Sequence, residues 1–279
     1  MAQPAQTHRG VTMVSSSPRL AALLWDVDGT LAETERDGHR VAFNRAFEDC
    51  GLPWRWDDCD YGRLLRVSGG FERLMHDMTN RADAPVSLEE RAALARAIHT
   101  RKNAYYAELV RSGAIVLRHG VMALMRECRE RDLTMGIATT TSRANVDALL
   151  TVHLGARWRE WFAVVVCSDD VQRKKPDPEV YARALAALGL SPHQVLAIED
   201  SPDGTAAASA AGVPVIVARS AYFADAHIDA ALAVGPGLHE RRGWQPMLRV
   251  QTDSRALVGL EDLEAWWRRS QSAVQSEPR

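Results

Sequence analysis

Five short apolar runs limit what this chain can fold into: "LAALLWDVD" (20–28), "LTMGIATTT" (133–141), "FAVVVCSDD" (162–170), "VLAIEDS" (195–201) and "VPVIVARS" (213–220). Each has strand length, and most are rich in Val or Ile. Continuously apolar strands suit a parallel sheet covered on both faces. Between the later runs lie stretches of helical spacing: "VMALMRECRERD", "NVDALLTVHL", "PDPEVYARALAALGL" and "DGTAAASAAG". Pro178 stands near the start of the third stretch and Gly189 near its end, as helix punctuation requires. The alternation predicts an α/β fold built on a doubly wound parallel sheet.

Residues 34–111 break the alternation. "GHRVAFNRAFEDCG", "YGRLLRV", "FERLMHDMTNRA" and "SLEERAALARAIHTRKNAYYAELVRS" carry apolar residues at helical spacing and little strand character. They read as an all-helical insertion after the first strand, with Trp54 and Trp56 in its core. Loops beyond strand C-termini are where such folds place ligand sites, so the insertion should overhang the site. The organisation expected is a flexible tail at 1–19, an α/β core of 20–33 and 112–270, a helical cap of 34–111, and a second tail at 271–279. "LEDLEAWWRRS" predicts a last amphipathic helix that packs Leu260, Leu263 and Trp267 onto the core.

Hydrophobic content of 46%, charged content of 25% and a formal charge of −2 describe an ordinary globular chain without a basic surface for nucleic acid or anionic membranes. No apolar run approaches the roughly 18–20 residues of a membrane span. The N-terminal stretch lacks the apolar segment of a secretory signal. The four cysteines have no C-x-x-C spacing and read as reduced thiols. A soluble, cytoplasmic protein acting on a small molecule is expected, as a monomer or small homo-oligomer.

The chemistry begins at "DVDGT" (26–30). Asp26 and Asp28 are spaced i, i+2 at the end of a strand, so both carboxylates project to one side. Gly29 permits a sharp turn there, and Thr30 is placed to bond back across it. Two neighbouring anions repel unless a cation intervenes, and a divalent metal bound through oxygen, such as Mg²⁺, is the economical solution. Three further strand ends carry matching groups: hydroxyls in "GIATTT", lysines in the loop "RKKPDP", and the acidic pair of "AIEDSPDG".

Taken together, "DVDGT", Thr139, Lys175-Pro176 and Glu199-Asp200 resemble the four motifs of the haloacid dehalogenase superfamily of phosphatases, in order, over about residues 20–220. The resemblance implies that Asp26 is a nucleophile forming an aspartyl-phosphate. Asp28 is then the general acid and base, and Thr139 and Lys175 hold the transferring group. It further implies Mg²⁺ held by Asp26, the Asp28 carbonyl and Asp200. Glu199 would ligate the metal through water or support Asp200, and Asp203 would either support that site or cap the next helix. Thr140 and Lys174 are the fallbacks for Thr139 and Lys175. Trp25 stands where the family usually has Phe, a packing change.

"DVDGTLAETE", "HRVAFNRAF", "WRWDDCDYGRLL", "SGGFERL" and "IATTTSRANVDALL" are similar to a narrower group, the CbbY-type sugar phosphatases linked to carbon fixation. That similarity implies a pentulose bisphosphate substrate such as xylulose 1,5-bisphosphate. Candidate substrate contacts are Glu35, His39, Tyr61, the Ser68-Gly69-Gly70 loop, Arg73 and Thr140. Phe71 replaces the lysine of the familiar pattern, so a distal phosphate would need Arg73, Arg66 or Arg63 instead. His119 replaces a common proline, and residues 235–256 match nothing familiar. Cap motion is expected about hinges near Glu33 and Ser112-Gly113. Two other readings stay open: a sugar phosphomutase on the same scaffold, and a non-catalytic phosphate-binding regulatory protein. A haloalkanoate dehalogenase, which works without metal, fits Asp28 and Asp200 poorly.

Overall fold

The computed structural model describes residues 19–247 and 256–275. Most of the tail expected at 1–19, the last four residues of the tail expected at 271–279 and part of the unfamiliar segment, 248–255, lie outside the described residues, while 271–275 continue the last helix and are no loose tail. Six parallel strands form one sheet: β1 (Ala22–Trp25), β2 (Thr134–Ala138), β3 (Val164–Val166), β4 (Val195–Glu199), β5 (Val215–Ala218) and β6 (Ala233–Gly235), in the order β3-β2-β1-β4-β5-β6. Five of these are the apolar runs of the sequence. The sixth, three residues long, carries too short a signal to be read there.

β1 lies between β2 and β4, with Trp25 in register with Ile137 on one side and Ile198 on the other. Its residues alternate between two cores. Leu23 and Trp25 face one with Ile137, Leu196 and Ile198; Ala22 and Leu24 face the other with Ala138, Val195 and Ala197. Burial on both faces explains why these strands read as unbroken apolar runs. Helices α5 (Val121–Glu130) and α6 (Arg143–Leu154) belong to the first face, and α7 (Glu179–Leu188) and α8 (Pro202–Ala210) to the second. Pro178 caps the start of α7 and Gly189 its end. The last helix, α9 (Leu260–Gln275), buries Leu260, Leu263, Trp266 and Trp267 against the first face. Among the described residues, no helix is long and apolar enough to cross a membrane.

Between β1 and α5 the chain is helical: α1 (Arg40–Asp49), α2 (Asp58–Leu64), α3 (Gly70–Met78) and α4 (Leu88–Arg111). These helices enclose their own core of Phe43, Phe47, Trp54, Trp56, Tyr61, Leu74 and Ile98, where both tryptophans are buried. Trp56 meets Phe43 and Phe47 edge-on, with ring centroids 4.8 and 4.9 Å apart. A single π-helical turn, Glu35–His39, leads from the β1 loop into α1 and bends the chain across the C-terminal edge of the sheet.

Candidate active site

Three strand ends meet under the helical cap. Asp26 follows β1, Thr139 follows β2, and Glu199 and Asp200 close β4, all of them buried. Lys175, from the loop between β3 and α7, reaches into the same place. Its Nζ donates to Asp26 Oδ1 and Glu199 Oε1, both at 2.7 Å, and to the Ala138 carbonyl at 2.9 Å. The Tyr181 hydroxyl on α7 donates to the same Glu199 oxygen. Glu199 is thus a holder of Lys175, a role the sequence left open between supporting a metal and supporting Asp200.

The carboxylates of Asp26, Glu199 and Asp200 offer oxygen atoms within 4.8 Å of one another. Burial, reinforced by Glu199, pushes Asp26 up to about 7 against the pull of Lys175. Burial with Asp26 and Glu199 nearby carries Asp200 well above the usual carboxylate range. Lys175 would be lowered by burial, yet the two carboxylates raise it above an ordinary lysine. Three acids facing one ammonium leave an excess of negative charge in a dry cradle. That is the donor set a hard divalent cation such as Mg²⁺ completes. Gly29 shapes the cradle: its φ is +81°, and a Cβ there would lie 2.0 Å from Asp200 Oδ2. The Thr30 hydroxyl does not bond back across this turn as expected; it is buried without a partner among the described residues.

Asp28 faces a different neighbourhood. Its Oδ1 accepts from Thr34 Oγ1 at 2.6 Å and lies 3.2 Å from His39 Nε2. Burial alone would raise Asp28, but the facing His39 and these hydrogen bonds hold it below the usual carboxylate range. His39 is buried, stacked 4.3 Å from the Tyr106 ring. These contacts occupy the Asp28 carboxylate and leave aside its carbonyl, the atom expected to hold metal. Asp26 and Asp200 converge with Glu199, while the Asp28 carboxylate is engaged by the cap entrance.

The cavity above these groups has a volume of about 520 Å³. Of the residues singled out in the sequence, Asp26, Asp28, Glu35, His39, Ser68, Gly69, Gly70, Arg73, Thr139, Thr140, Lys175, Glu199, Asp200 and Asp203 all line it. Tyr61 does not. It lies in the cap core behind the wall, where its hydroxyl donates to Glu35 Oε2 at 2.5 Å and accepts from Arg73 Nη1 at 2.7 Å. Asp203 is no helix cap either: Ser201 caps α8 by accepting from the Gly204 N–H at 3.2 Å. Phe71 and Arg66 line the cavity, whereas Arg63 is exposed and pairs with Asp60.

Two lining residues on α4 went unread in the sequence. Lys102 is buried with Nζ 5.3 Å from the Phe43 ring centroid and 5.5 Å from that of Tyr106. Burial lowers it to about 8, with Glu35 and Asp28 opposing. His99 is lowered to about 4 by burial and by Lys102. A third unread residue, Arg118, donates to the carbonyls of Gly29, Ala218, Arg219 and Pro236, tying the Asp26–Gly29 turn to the end of β5.

An aspartate at a strand end, a lysine bonded to it and an acidic pair at the end of the neighbouring strand are the arrangement that the sequence resemblance implies. The family model of haloacid dehalogenase-like hydrolases matches residues 20–212. The chain belongs to that family. Within it, the chain is 43% identical to the plasmid protein CbbY of Cupriavidus necator over 249 residues, 88% of this chain and 96% of that one. It is 44% identical to protein CbbY of Rhodobacter capsulatus, covering 73% of this chain and 87% of the relative. The crystal structure of a mutant CbbY from Rhodobacter sphaeroides in complex with xylulose-(1,5)bisphosphate superimposes with a TM-score of 0.73 at 36% identity, covering 78% of this chain and 94% of that one. This haloacid dehalogenase-like chain is thus a hydrolase with the CbbY fold.

Proposed function

We propose that the chain is a Mg²⁺-dependent phosphatase of a small sugar phosphate, with a pentulose bisphosphate such as xylulose 1,5-bisphosphate as substrate. The chain is a phosphoric monoester hydrolase of the haloacid dehalogenase-like family. The observation that carries the finer reading is Lys175 Nζ 2.7 Å from Asp26 Oδ1 at the end of β1, beside Asp200 and below a roofed cavity. Asp26 is the nucleophile: it attacks phosphorus, forms an aspartyl-phosphate and expels the sugar alkoxide. Lys175 holds the attacking carboxylate and stands beside the transferring oxygens, with Thr139 and Thr140 at the end of the neighbouring strand β2. Asp26, the Asp28 carbonyl and Asp200 would hold Mg²⁺, which supplies charge against the repulsion between carboxylate and phosphate.

Asp28 exchanges the proton. It gives one to the leaving oxygen and later takes one from the water that opens the acyl phosphate. Held ionised by Thr34 and His39, Asp28 is ready for the base step. For the acid step it must first be protonated, and His39 is the titratable side chain bonded to it. The sugar lies against the cap, among Glu35, His39, Ser68, Gly69, Gly70 and Arg73, with Tyr61 buttressing Glu35 and Arg73 from behind. With phenylalanine at position 71, Lys102 and Arg66 are the lining cations that suit a second phosphate. The similarity to a CbbY crystallised with a bisphosphate supports that substrate class.

The test is phosphate release from a panel of pentulose and hexose mono- and bisphosphates, with Mg²⁺ and with chelator. Release that favours a pentulose bisphosphate and stops with chelator is expected. Equal rates on all sugars, or rates indifferent to chelator, overturn the reading.

A further inference from the structure

A second cavity of about 790 Å³ lies behind the site and shares none of its lining residues. Its ionisable walls are Arg118, His119, Arg219 and His239, with Glu33 as the single acid. Arg118 Nε stands 3.4 Å from Glu33 Oε1, so the acid is already matched. Arg219 Nη1 donates to the Phe223 and Ala226 carbonyls at 2.8 and 2.5 Å, neutral acceptors that leave its charge uncompensated. A basic hollow on a chain of net charge −2 selects an anion.

The hollow also has a shaped corner. Gly237 has φ +152°, and a Cβ there would come within 2.6 Å of His239 Nδ1 and 3.1 Å of Arg118 Nη2. Without a side chain at Gly237, His239 and Arg118, both of which line the hollow, pack closely against the backbone there. This wall is the segment for which the sequence offered no role, and it is anchored. Trp244 is buried, donates from Nε1 to the Gly237 carbonyl at 3.0 Å and stacks 4.7 Å from Trp266 of α9. Guanidinium forks and imidazoles suit the oxygens of a phosphoryl group, and the volume has room for a short carbon chain besides.

We propose that this second cavity binds the phosphoryl group of a small phosphorylated metabolite, between Arg219, His119 and His239. The site lies one loop away from the catalytic cavity. Ser220, Ala221 and Ala224 face the second cavity, while Tyr222, Phe223 and Ala226 line the first.

Calorimetric titration of the Mg²⁺-loaded enzyme tests it, with inorganic phosphate and with unhydrolysable methylphosphonate as probes. Phosphate inhibition of p-nitrophenyl phosphate turnover reports the catalytic cavity separately. Two equivalents of phosphate per wild-type chain are expected, and one in His239→Glu, with the inhibition constant unchanged. His119→Glu serves as the second variant should the first fail to fold. Methylphosphonate should follow phosphate; its exclusion from the second equivalent would mean that free phosphate alone binds there and would overturn the metabolite assignment. One equivalent in the wild type, two in both variants, or an inhibition constant that moves together with the lost equivalent overturns the site.

Discussion

Lys174 Nζ, on the loop that carries Lys175, meets Glu72 Oε1 of α3 at 2.6 Å. The pair joins the helical cap to the residue next in sequence to the lysine that holds Asp26. Both side chains are partly exposed, at 26% and 46%, so the bond is weak on its own and sensitive to salt. Its position ties the cap to the core, and if the cap opens about the expected hinges this pair is the latch that must break. Across the cavity mouth, the Tyr222 hydroxyl donates to Asp58 Oδ1 of α2 at 3.2 Å, a second clasp.

Breaking the latch should loosen closure without touching the reacting groups. Glu72→Gln and Lys174→Ala should each change kcat/KM by no more than about fivefold, and the double variant by no more than either single one. Stopped-flow measurement of cap opening at low and high salt checks this: the wild-type rate should rise with salt and the variant rates should not. A variant rate that keeps its salt response would assign the electrostatic hold on the cap to other residues.

The aspartate pair predicts a dependence on the leaving group. Asp28→Asn keeps the size of the side chain and can still accept from Thr34, but it can no longer move a proton. Turnover of sugar phosphates, whose alkoxides leave poorly, should fall by about a hundredfold to ten-thousandfold. For p-nitrophenyl phosphate, whose leaving group needs no proton, formation of the acyl phosphate should be nearly unaffected, and a burst should precede slow hydrolysis. Equal loss of the first step for both substrate types removes the acid role. Asp26→Asn should lack any burst while still binding phosphate, and acid quench of the wild type should trap label on Asp26.

Much of this site is legible in the sequence because a parallel sheet brings strand C-termini to one edge. Once the apolar runs are strands, the polar residues that end them must gather there, and Asp26, Thr139, Glu199 and Asp200 do. Lys175 is legible for the same reason, standing in the loop beyond β3. The cap side is harder. Lys102 sits in the middle of a 24-residue helix among other charged residues, and its burial depends on which face of α4 packs against α1 and the cavity. No local pattern encodes that. Tyr61 illustrates the reverse error: a hydroxyl placed near the site by sequence turns inward to Glu35 and Arg73. Arg118 looks like any charged residue before a turn, because its four carbonyl partners come from three separate stretches of chain.

Lys102 gives the last prediction, in which ligand binding and stability move in opposite directions. Burial lowers its folded-state value to about 8 from an ordinary 10.5, so the unfolded chain binds the proton more tightly than the folded one. The resulting penalty is complete below about 8 and vanishes above the unfolded value of 10.5. Stability attributable to this residue therefore rises with pH through that window. Lys102→Met keeps an unbranched side chain of similar reach beside Phe43 and Tyr106 and removes the charge that lies over their rings. At neutral pH the ligand-free variant should have a higher denaturant midpoint than the wild type, and its stability should lose the rise between pH 8 and 10. The same substitution should raise KM for a bisphosphate by about 10- to 100-fold, the worth of one charged hydrogen bond to the distal group. A monophosphate should lose far less. Wild-type affinity for the bisphosphate should also weaken as pH climbs past 8, a fall absent from the variant. Urea titrations at three pH values with parallel KM profiles decide it: a destabilised variant, or an unchanged KM for the bisphosphate, would make Lys102 a packing residue of the cap.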